Sequence, residues 1–244
     1  MKYQLNPKNI TRSSQSARIK ATCVSALLVL ASLSLADPQL NEILVTADFR
    51  DTTLLTTPAS LTVLDKNIID RRQAKHLAQL LNVAPNVNFS SGASRGRFIQ
   101  IRGIGERSQF IEPLNPSVGV LVDGIDFTGI AGAATTMDLQ QVEILRGPQG
   151  TLYGANALAG LVSLKANQPT IETRGNVALA MGRFNTQTMS AAVGGALSPT
   201  VNYRLAVQSH SSDGYVINDF LQRDDTDDID ELSLRSIFTW RVSD

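Results

Sequence analysis

The chain has 244 residues, of which 43% are hydrophobic and 18% are charged, and its formal net charge is zero. This composition supports one or two domains with an apolar core and excludes disorder as the main state of the chain. A zero net charge provides no field that would attract DNA or RNA, so nucleic acid is not an expected partner.

The N-terminal segment has the pattern of a signal peptide. A basic leader without acidic residues precedes an apolar run over residues 21–35, and Ser34 and Ala36 provide the small residues of a cleavage site. The run falls short of the roughly 20 apolar residues that a membrane-spanning helix needs. We therefore expect residues 1–36 to be removed on export. Cys23, the only cysteine, lies in this leader, so the mature chain is expected to lack disulfides and thiolate metal sites.

A short run of β-formers follows, with no pairing partner nearby in sequence: Glu42, Ile43, Leu44, Val45, Thr46 and Ala47. One interpretation is the first strand of a domain. An extended segment of this kind also suits strand addition to a partner protein, because main-chain hydrogen bonds supply the affinity.

The next segment predicts a strand followed by two helices. Leu61 and Val63 alternate with polar residues, and Asp65 is a suitable N-cap for a helix that begins near Lys66. A second helix, closed by Pro85, has one apolar face at spacing i, i+3, i+4, formed by Leu77, Leu80 and Leu81. Further strands are predicted over residues 86–89 and 98–102, around a polar loop, and over residues 118–122, which run into the turn Asp123-Gly124.

Residues 138–163 contain a cluster of glycines. We predict a short helical turn from Asp138, an apolar strand through Ile144, and then a backbone that turns repeatedly at Gly147, Gly150, Gly154 and Gly160. The spacing matches neither a P-loop nor a dinucleotide-binding motif, so a phosphate-binding loop is excluded.

Four motifs in this order resemble those of TonB-dependent outer-membrane receptors. They are EILVTA at 42–47, IRGIG at 101–105, the strand into DGI at 123–125, and VEILRGPQGTLYGANALAG at 142–160. The resemblance implies an α+β plug domain, a small mixed sheet with short helices, which occludes a transmembrane β-barrel. It also implies that residues 42–47 are the TonB box, which adds a strand to TonB, the periplasmic protein driven by an inner-membrane energising complex.

The resemblance further implies two sets of site residues. Arg102 and Arg146 would contact carboxylates on the inner barrel wall and hold the plug; the alternative is that both side chains reach solvent. Polar loops at the plug apices would contact a small-molecule chelate, and ordinary solvated loops are the alternative. The candidate substrate residues are Arg95, Arg97, Glu106, Arg107, Gln109, Phe110, Phe127 and Thr128.

Residues 171–244 alternate with a period of two in four segments, as the strands of a lipid-facing barrel do. Ser198-Pro199-Thr200 is a tight turn, whereas residues 211–230 form a long acidic connection, which fits a short periplasmic turn and a long external loop. The acidic residues lack the calcium-loop pattern, and His210 faces inward with no second histidine near in sequence, so no metal site is predicted.

The expected organisation is a signal peptide at 1–36, a TonB-box segment and linker at 37–52, a plug domain at 53–170 and the first four antiparallel strands of an incomplete transmembrane β-barrel at 171–244. We interpret the chain as an N-terminal fragment of a receptor in the Gram-negative outer membrane, with outer-membrane lipid around it and the plug and TonB box facing the periplasm. The predicted function is TonB-dependent import of a scarce nutrient, by default a ferric siderophore or another metal chelate, without enzyme activity or a cofactor. A passive porin-like channel fragment and a non-functional truncated receptor are the alternatives.

Overall fold

The computed structural model describes residues 44–45, 52–53, 59–91, 98–107, 115–223 and 227–242. All of these residues belong to one compact unit, Ile43–Asp244. The predicted leader lies outside the described residues.

The chain forms a mixed sheet with short helices, followed by four long strands. The first part contains β1 (Leu44–Val45), β2 (Thr52–Thr53), β3 (Ser60–Asp65), α1 (Lys66–Arg72), α2 (Leu77–Leu81), β4 (Val87–Ser90), β5 (Phe98–Ile101), β6 (Val118–Val122), β7 (Ile125–Asp126), a 3-10 helix (Thr128–Ala133), β8 (Leu139–Arg146), α3 (Gly150–Tyr153) and β9 (Gly160–Ala166). The second part contains β10 (Arg174–Met181), β11 (Gln187–Ala196), β12 (Val201–Ser212) and β13 (Ile229–Trp240).

Five strands form the central sheet of the first part, in the order β3-β8-β9-β6-β7. The β6 and β9 strands are parallel, and the other neighbours are antiparallel. Ile144 and Val162 are fully buried on one face of this sheet, in the same apolar cluster as the three leucines of α2. The predicted small mixed sheet is therefore confirmed.

The helix predicted after Asp65 is confirmed as α1, whereas the other predicted helical segments are confirmed only in part. Asp65 caps α1, accepting a hydrogen bond from the Ile68 amide at 2.8 Å. Leu77, Leu80 and Leu81 are all buried, as predicted from their spacing. The helical turn predicted to begin at Asp138 is wrong: Asp138 has a left-handed φ of 52°, and strand β8 begins at the next residue. Within the part of the chain described above, no helix has the length and apolarity needed to cross a membrane.

One glycine of the cluster is required by close approach of the backbone. A Cβ atom on Gly160 would lie 2.3 Å from the Leu145 carbonyl oxygen and 2.6 Å from Ile101 Cδ1. No side chain fits in that space, so β9 can lie beside β8 only with glycine at this position.

The four long strands form an open antiparallel sheet in the order β10-β11-β12-β13. Leu179, Leu232, Leu234 and Trp240 are between 67% and 73% exposed on its outer face. The inner face carries a buried set of polar and small residues, Asn202, Ala206, Gln208 and His210. The predicted apolar-out, polar-in alternation and the tight turn from Ser198 to Val201 are confirmed. The predicted fold class, an α+β plug followed by antiparallel strands of an incomplete barrel, is confirmed as well.

Candidate functional site

The two parts of the chain are joined by an ion pair that is largely shielded from water. Arg204, on the inner face of β12, donates from Nε to Asp138 Oδ2 at 2.5 Å and from Nη2 to Asp138 Oδ1 at 2.6 Å. The side chains are 12% and 7% exposed. A bidentate pair fixes the orientation of both groups as well as their separation, so this contact sets the position of the plug against the sheet.

Asp138 also accepts hydrogen bonds from another residue of the plug, Asn167. Its main-chain carbonyl accepts from the Asn167 amide at 3.0 Å, and its Oδ1 accepts from Asn167 Nδ2 at 2.9 Å. Asn167 directly follows β9. The residues that enter β8 and leave β9 are therefore bonded to each other at the point where the plug meets β12.

Met137 adds two more contacts to the sheet. Arg235 of β13 donates from Nη1 to the Met137 carbonyl at 2.6 Å. The Met137 side chain packs against Ala192 of β11 and Ala206 of β12. We call Met137 and Asp138 together the plug corner, and we call the four-stranded sheet β10 to β13 the wall. The plug corner contacts three consecutive strands of the wall, β11, β12 and β13.

A second polar contact joins plug and wall farther along β13. His76, which precedes α2, lies with Nε2 2.9 Å from Glu231 Oε2. Glu231 is the register partner of His210, and His210 Nδ1 is 2.9 Å from the Thr188 hydroxyl. The two histidines of the sequence are therefore connected to Glu231 in different ways, His76 through its side chain and His210 as the residue opposite on β12. Among the described residues, no group of three or more side chains is arranged to hold a metal ion.

A cavity of about 430 Å³ lies beside the plug corner, between α1 and strands β10 to β12. Lys66, Asp70 and Lys75 line it from the plug, and Ser190 and other small residues line it from the wall. Burial lowers the pKa of Lys75, and the nearby Asp70 carboxylate opposes this change. The plug therefore leaves a gap next to the plug corner, with charged side chains on the plug side.

The predicted TonB box is described only at Leu44 and Val45. These two residues pair with Thr53 and Thr52 in an antiparallel ladder. The Val45 side chain is fully buried in an apolar cluster with Leu145 and Leu161 of the central sheet. Glu42, Ile43, Thr46 and Ala47 lie outside the described residues.

The two arginines predicted to contact the barrel wall lie close to each other. Arg146 donates from Nε to the Pro85 carbonyl at 3.0 Å and from Nη2 to the Thr62 hydroxyl. Burial lowers the pKa of Arg146, and the positive charge of Arg102 lowers it further. Within the described ranges neither arginine forms an ion pair with a carboxylate, and their contact with a barrel wall stays a prediction.

The described candidates for substrate contact mainly bond within the plug. Glu106 Oε1 accepts from the Ser117 amide and hydroxyl, both at 2.9 Å. The Thr128 hydroxyl accepts from the Val120 amide at 3.0 Å and donates to Asp126. Phe127 packs partly buried against the main core, and Arg107 is exposed. The four remaining candidates, Arg95, Arg97, Gln109 and Phe110, lie outside the described residues, and a substrate role for the whole set stays a prediction.

Sequence reasoning missed the plug corner and the His76–Glu231 contact. The period-two alternation of β12 puts Arg204 on the same face as Asn202 and Gln208, so an inward-facing charge on a barrel strand was the available signal. Nothing local to Asp138 indicates its role, because its partner Arg204 is 66 residues away.

Comparison with known protein families agrees with the geometry of the plug. Residues 53–161 match the family model described as the TonB-dependent Receptor Plug Domain. The vitamin B12 transporter BtuB of Vibrio vulnificus strain YJ016 is 22% identical over 84% of this chain and 33% of its own length. The pesticin receptor of Yersinia enterocolitica is 36% identical over 41% of this chain and 14% of its own length.

Solved structures show the same fold. The ferric yersiniabactin uptake receptor FyuA of Yersinia pestis matches with a TM-score of 0.61 and 26% identity, over 74% of this chain and 28% of that one. The pyoverdine receptor FpvA of Pseudomonas aeruginosa matches with a TM-score of 0.60 and 22% identity, over 71% of this chain and 25% of that one, and this likeness concerns the fold alone. The chain spans about a third or less of the length of these proteins.

Proposed function

We propose that this chain, whose residues 53–161 match the TonB-dependent receptor plug domain, takes part in TonB-driven import of a scarce solute across the Gram-negative outer membrane. One observation carries the proposal: a plug domain is bound to the inner face of a sheet whose outer face exposes large apolar side chains. An exposed apolar face of this kind is suited to lipid, and the inner face is polar and contacts the plug.

The proposed mechanism begins with solute binding on the external side of the plug. TonB then pairs with the segment Glu42 to Ala47 from the periplasm. Strand addition requires the edge of β1 to be free and Val45 to leave its apolar cluster, so the docked β1 corresponds to a resting state. Pulling on this segment rearranges the plug and lets the solute pass.

A ferric siderophore or another metal chelate is the proposed substrate class. FyuA takes up ferric yersiniabactin and the BtuB relatives transport vitamin B12, according to their names. The long connection between β12 and β13, on the external side in this orientation, would contribute to solute contact.

The TonB step is tested by proline substitutions on the two strands of the β1–β2 ladder. Val45→Pro removes an amide from the strand that TonB would pair with, whereas Thr52→Pro removes one from its partner, β2. Cells whose only copy of the gene carries each variant are assayed for uptake of ⁵⁷Co-labelled vitamin B12 and ⁵⁵Fe-loaded yersiniabactin, with and without TonB.

We expect Val45→Pro to abolish TonB-dependent uptake and Thr52→Pro to leave most of it. Equal loss of uptake in both variants would show that the substitutions act by disrupting the β1–β2 ladder and not by blocking pairing with TonB. Uptake that persists without TonB would indicate a passive channel.

A further inference from the structure

The backbone around His76 is bonded to the segment that leads into the plug corner. The Thr136 amide donates to the Lys75 carbonyl at 3.0 Å, and His76 pairs with Thr135 in an antiparallel bridge. Thr136 directly precedes Met137. A contact made by the His76 side chain therefore acts on the plug corner through a short run of paired backbone.

The wall contacts these two segments of the plug from a single strand, β13. His76 Nε2 lies 2.9 Å from Glu231 Oε2, and Arg235 donates to the Met137 carbonyl at 2.6 Å. Glu231 and Arg235 are four residues apart on a strand that alternates between partly buried and exposed positions, so both lie on its inner face. Of these two contacts, the one between His76 and Glu231 contains the group that titrates near neutral pH.

The contact between His76 and Glu231 is also shielded from water. The two side chains are 9% and 18% exposed. A carboxylate at this distance favours the protonated form of an imidazole, and burial of the ring opposes it. The sequence of pairings above makes this balance a property of the attachment between plug and wall.

Other charged groups lie on the elements around His76, and several of them are paired with each other. Asp138 pairs with Arg204, and Asp70 pairs with Lys66. Strand β11, helix α2 and the 3-10 helix carry no charged residue. The titratable and charged groups on the surrounding elements are Lys66 and Asp70 on α1, Lys75 before α2, Asp138 before β8, Arg204 and His210 on β12, Asp227 before β13, and Glu231 and Arg235 on β13.

The second histidine of the chain lies opposite the same carboxylate. His210 is the register partner of Glu231, and its Nδ1 atom is 2.9 Å from the Thr188 hydroxyl. A cavity of about 320 Å³ lies beside it, between Lys75 of the plug and the wall. The contact of His210 with Thr188 lies within the wall, whereas the contact of His76 with Glu231 joins the plug to the wall. Titration of His76 therefore acts directly on the attachment of the plug.

We propose that the His76–Glu231 contact is a pH-sensitive latch, which fastens the plug to β13 more tightly as the pH falls from about 8 to about 5.5. Protonation of His76 turns a contact between a neutral ring and a carboxylate into a shielded ion pair. An imidazole that gains a carboxylate partner on folding stabilises the fold fully below the ordinary histidine pKa of about 6.5, and this stabilisation is lost as pH rises through the folded value. The inference concerns the resting attachment of the plug and does not depend on the proposed import.

The test measures how often the plug corner opens. Ala206→Cys places a thiol beneath the Met137 side chain, where a maleimide reacts when the corner separates from β12. The rate of labelling is measured in phospholipid vesicles from about pH 5.5 to about pH 8, a range in which glutamate stays ionised. The chain without Ala206→Cys reports any labelling of Cys23.

The rate is compared at each pH with that of the same thiol in a His76→Gln background, which cancels the pH dependence of the thiol itself. We expect equal rates near pH 8 and labelling about tenfold slower with His76 than with Gln near pH 5.5. Glu231→Gln should remove the slow labelling in acid, whereas His210→Gln, the matched control, should retain it.

A ratio of rates that stays constant with pH would overturn the inference. Faster labelling with His76 in acid would overturn it too, because burial would then expel the protonated ring. Loss of the slow labelling in His210→Gln would assign the titration to His210 and have the same consequence. If His76→Gln does not assemble, Glu231→Gln provides the reference rate, and Ala192→Cys is a second reporter beneath Met137.

Discussion

Arg204 and Asp138 form a bidentate ion pair across the boundary between the plug and the sheet, with N to O distances of 2.5 and 2.6 Å. The two residues are 66 positions apart and belong to elements of different architecture. Because both side chains are largely shielded from water, loss of either partner leaves the other as a buried, uncompensated charge. The pair is therefore expected to contribute strongly to the position of the plug against strand β12.

The first prediction concerns removal of one charge from this pair. Asp138→Asn should weaken the attachment of the plug by about 3 kcal/mol, which is typical of breaking a buried ion pair on one side. Limited proteolysis of the plug and urea unfolding followed by tryptophan fluorescence at Trp240 would measure the loss.

The matched control replaces both charges with apolar groups of similar size. Asp138→Leu/Arg204→Met should be closer to the parent than either single change, since no charge is left unpaired. A single variant that is as stable as the parent would show that the pair does not hold the plug.

The sequence predicted most of the fold because its strongest signals are local. Asp65 caps the helix that follows it, Leu77 and its neighbours repeat at helical spacing, and the long strands alternate with period two. Each of these patterns depends on residues within a few positions of one another. The start of α1 and the alternating strands of the open four-stranded sheet followed from such patterns.

The plug corner could not be predicted because its specificity is non-local. Asp138 was expected to begin a helical turn, and its left-handed φ instead turns the chain so that the side chain meets Arg204. The motif resemblance directed attention to Arg102, which follows β5, and to Arg146, which lies at the opposite end of β8 from Asp138. Pairing between distant charges is fixed by the assembled fold and leaves no periodic signal in the chain.

A second prediction concerns docking of β1. Burial of a complete valine side chain contributes about 2 kcal/mol, so Val45→Asp should release the strand and raise the affinity of solute-free receptor for the periplasmic domain of TonB by up to about thirtyfold. Isothermal titration calorimetry would measure this affinity. A free peptide of residues 42–47 with the same substitution controls for a direct effect of Asp on strand pairing. If receptor and peptide change equally, docking of Val45 does not limit access.

A third prediction concerns the β8–β9 hairpin. Gly160→Ala should destabilise the plug by about 2 kcal/mol or more, because its Cβ would overlap the Leu145 carbonyl and the backbone has to shift. Gly129→Ala is the matched control, since a Cβ there meets no atom within 4 Å. Urea unfolding of both variants distinguishes the steric effect from a general effect of replacing glycine.

A fourth prediction concerns acid. Burial raises the pKa of Asp126, but hydrogen bonds from the Thr128 hydroxyl and amide and from Asn156 outweigh it, and the net pKa lies below the ordinary value of 3.8. A carboxyl with a lowered folded pKa stabilises the fold above its unfolded pKa, and the stabilisation is lost as pH falls through the folded value. The stability difference between parent and Asp126→Asn should therefore be constant near neutral pH and shrink below about pH 4. Asp219→Asn, at an exposed loop position, changes the net charge equally, and the same acid profile in that variant would contradict the assignment to Asp126.

The last prediction concerns the outer face of the sheet and its contact with lipid. Leu234 is 73% exposed and lies level with Val207 of β12 and Ala191 of β11, near the middle of the strands. Leu197, 71% exposed, lies beside the turn at residues 198–200. An arginine on a lipid-facing strand destabilises an outer-membrane protein by about 2–4 kcal/mol at the midplane and by about 0–1 kcal/mol near the interface.

Leu234→Arg should therefore lower the free energy of unfolding in phospholipid vesicles far more than Leu197→Arg, as measured by reversible urea unfolding. The two side chains are equally exposed in the isolated sheet, so a difference between the two variants can arise only from a bilayer around the strands. Equal effects in the two variants would contradict a lipid-facing surface.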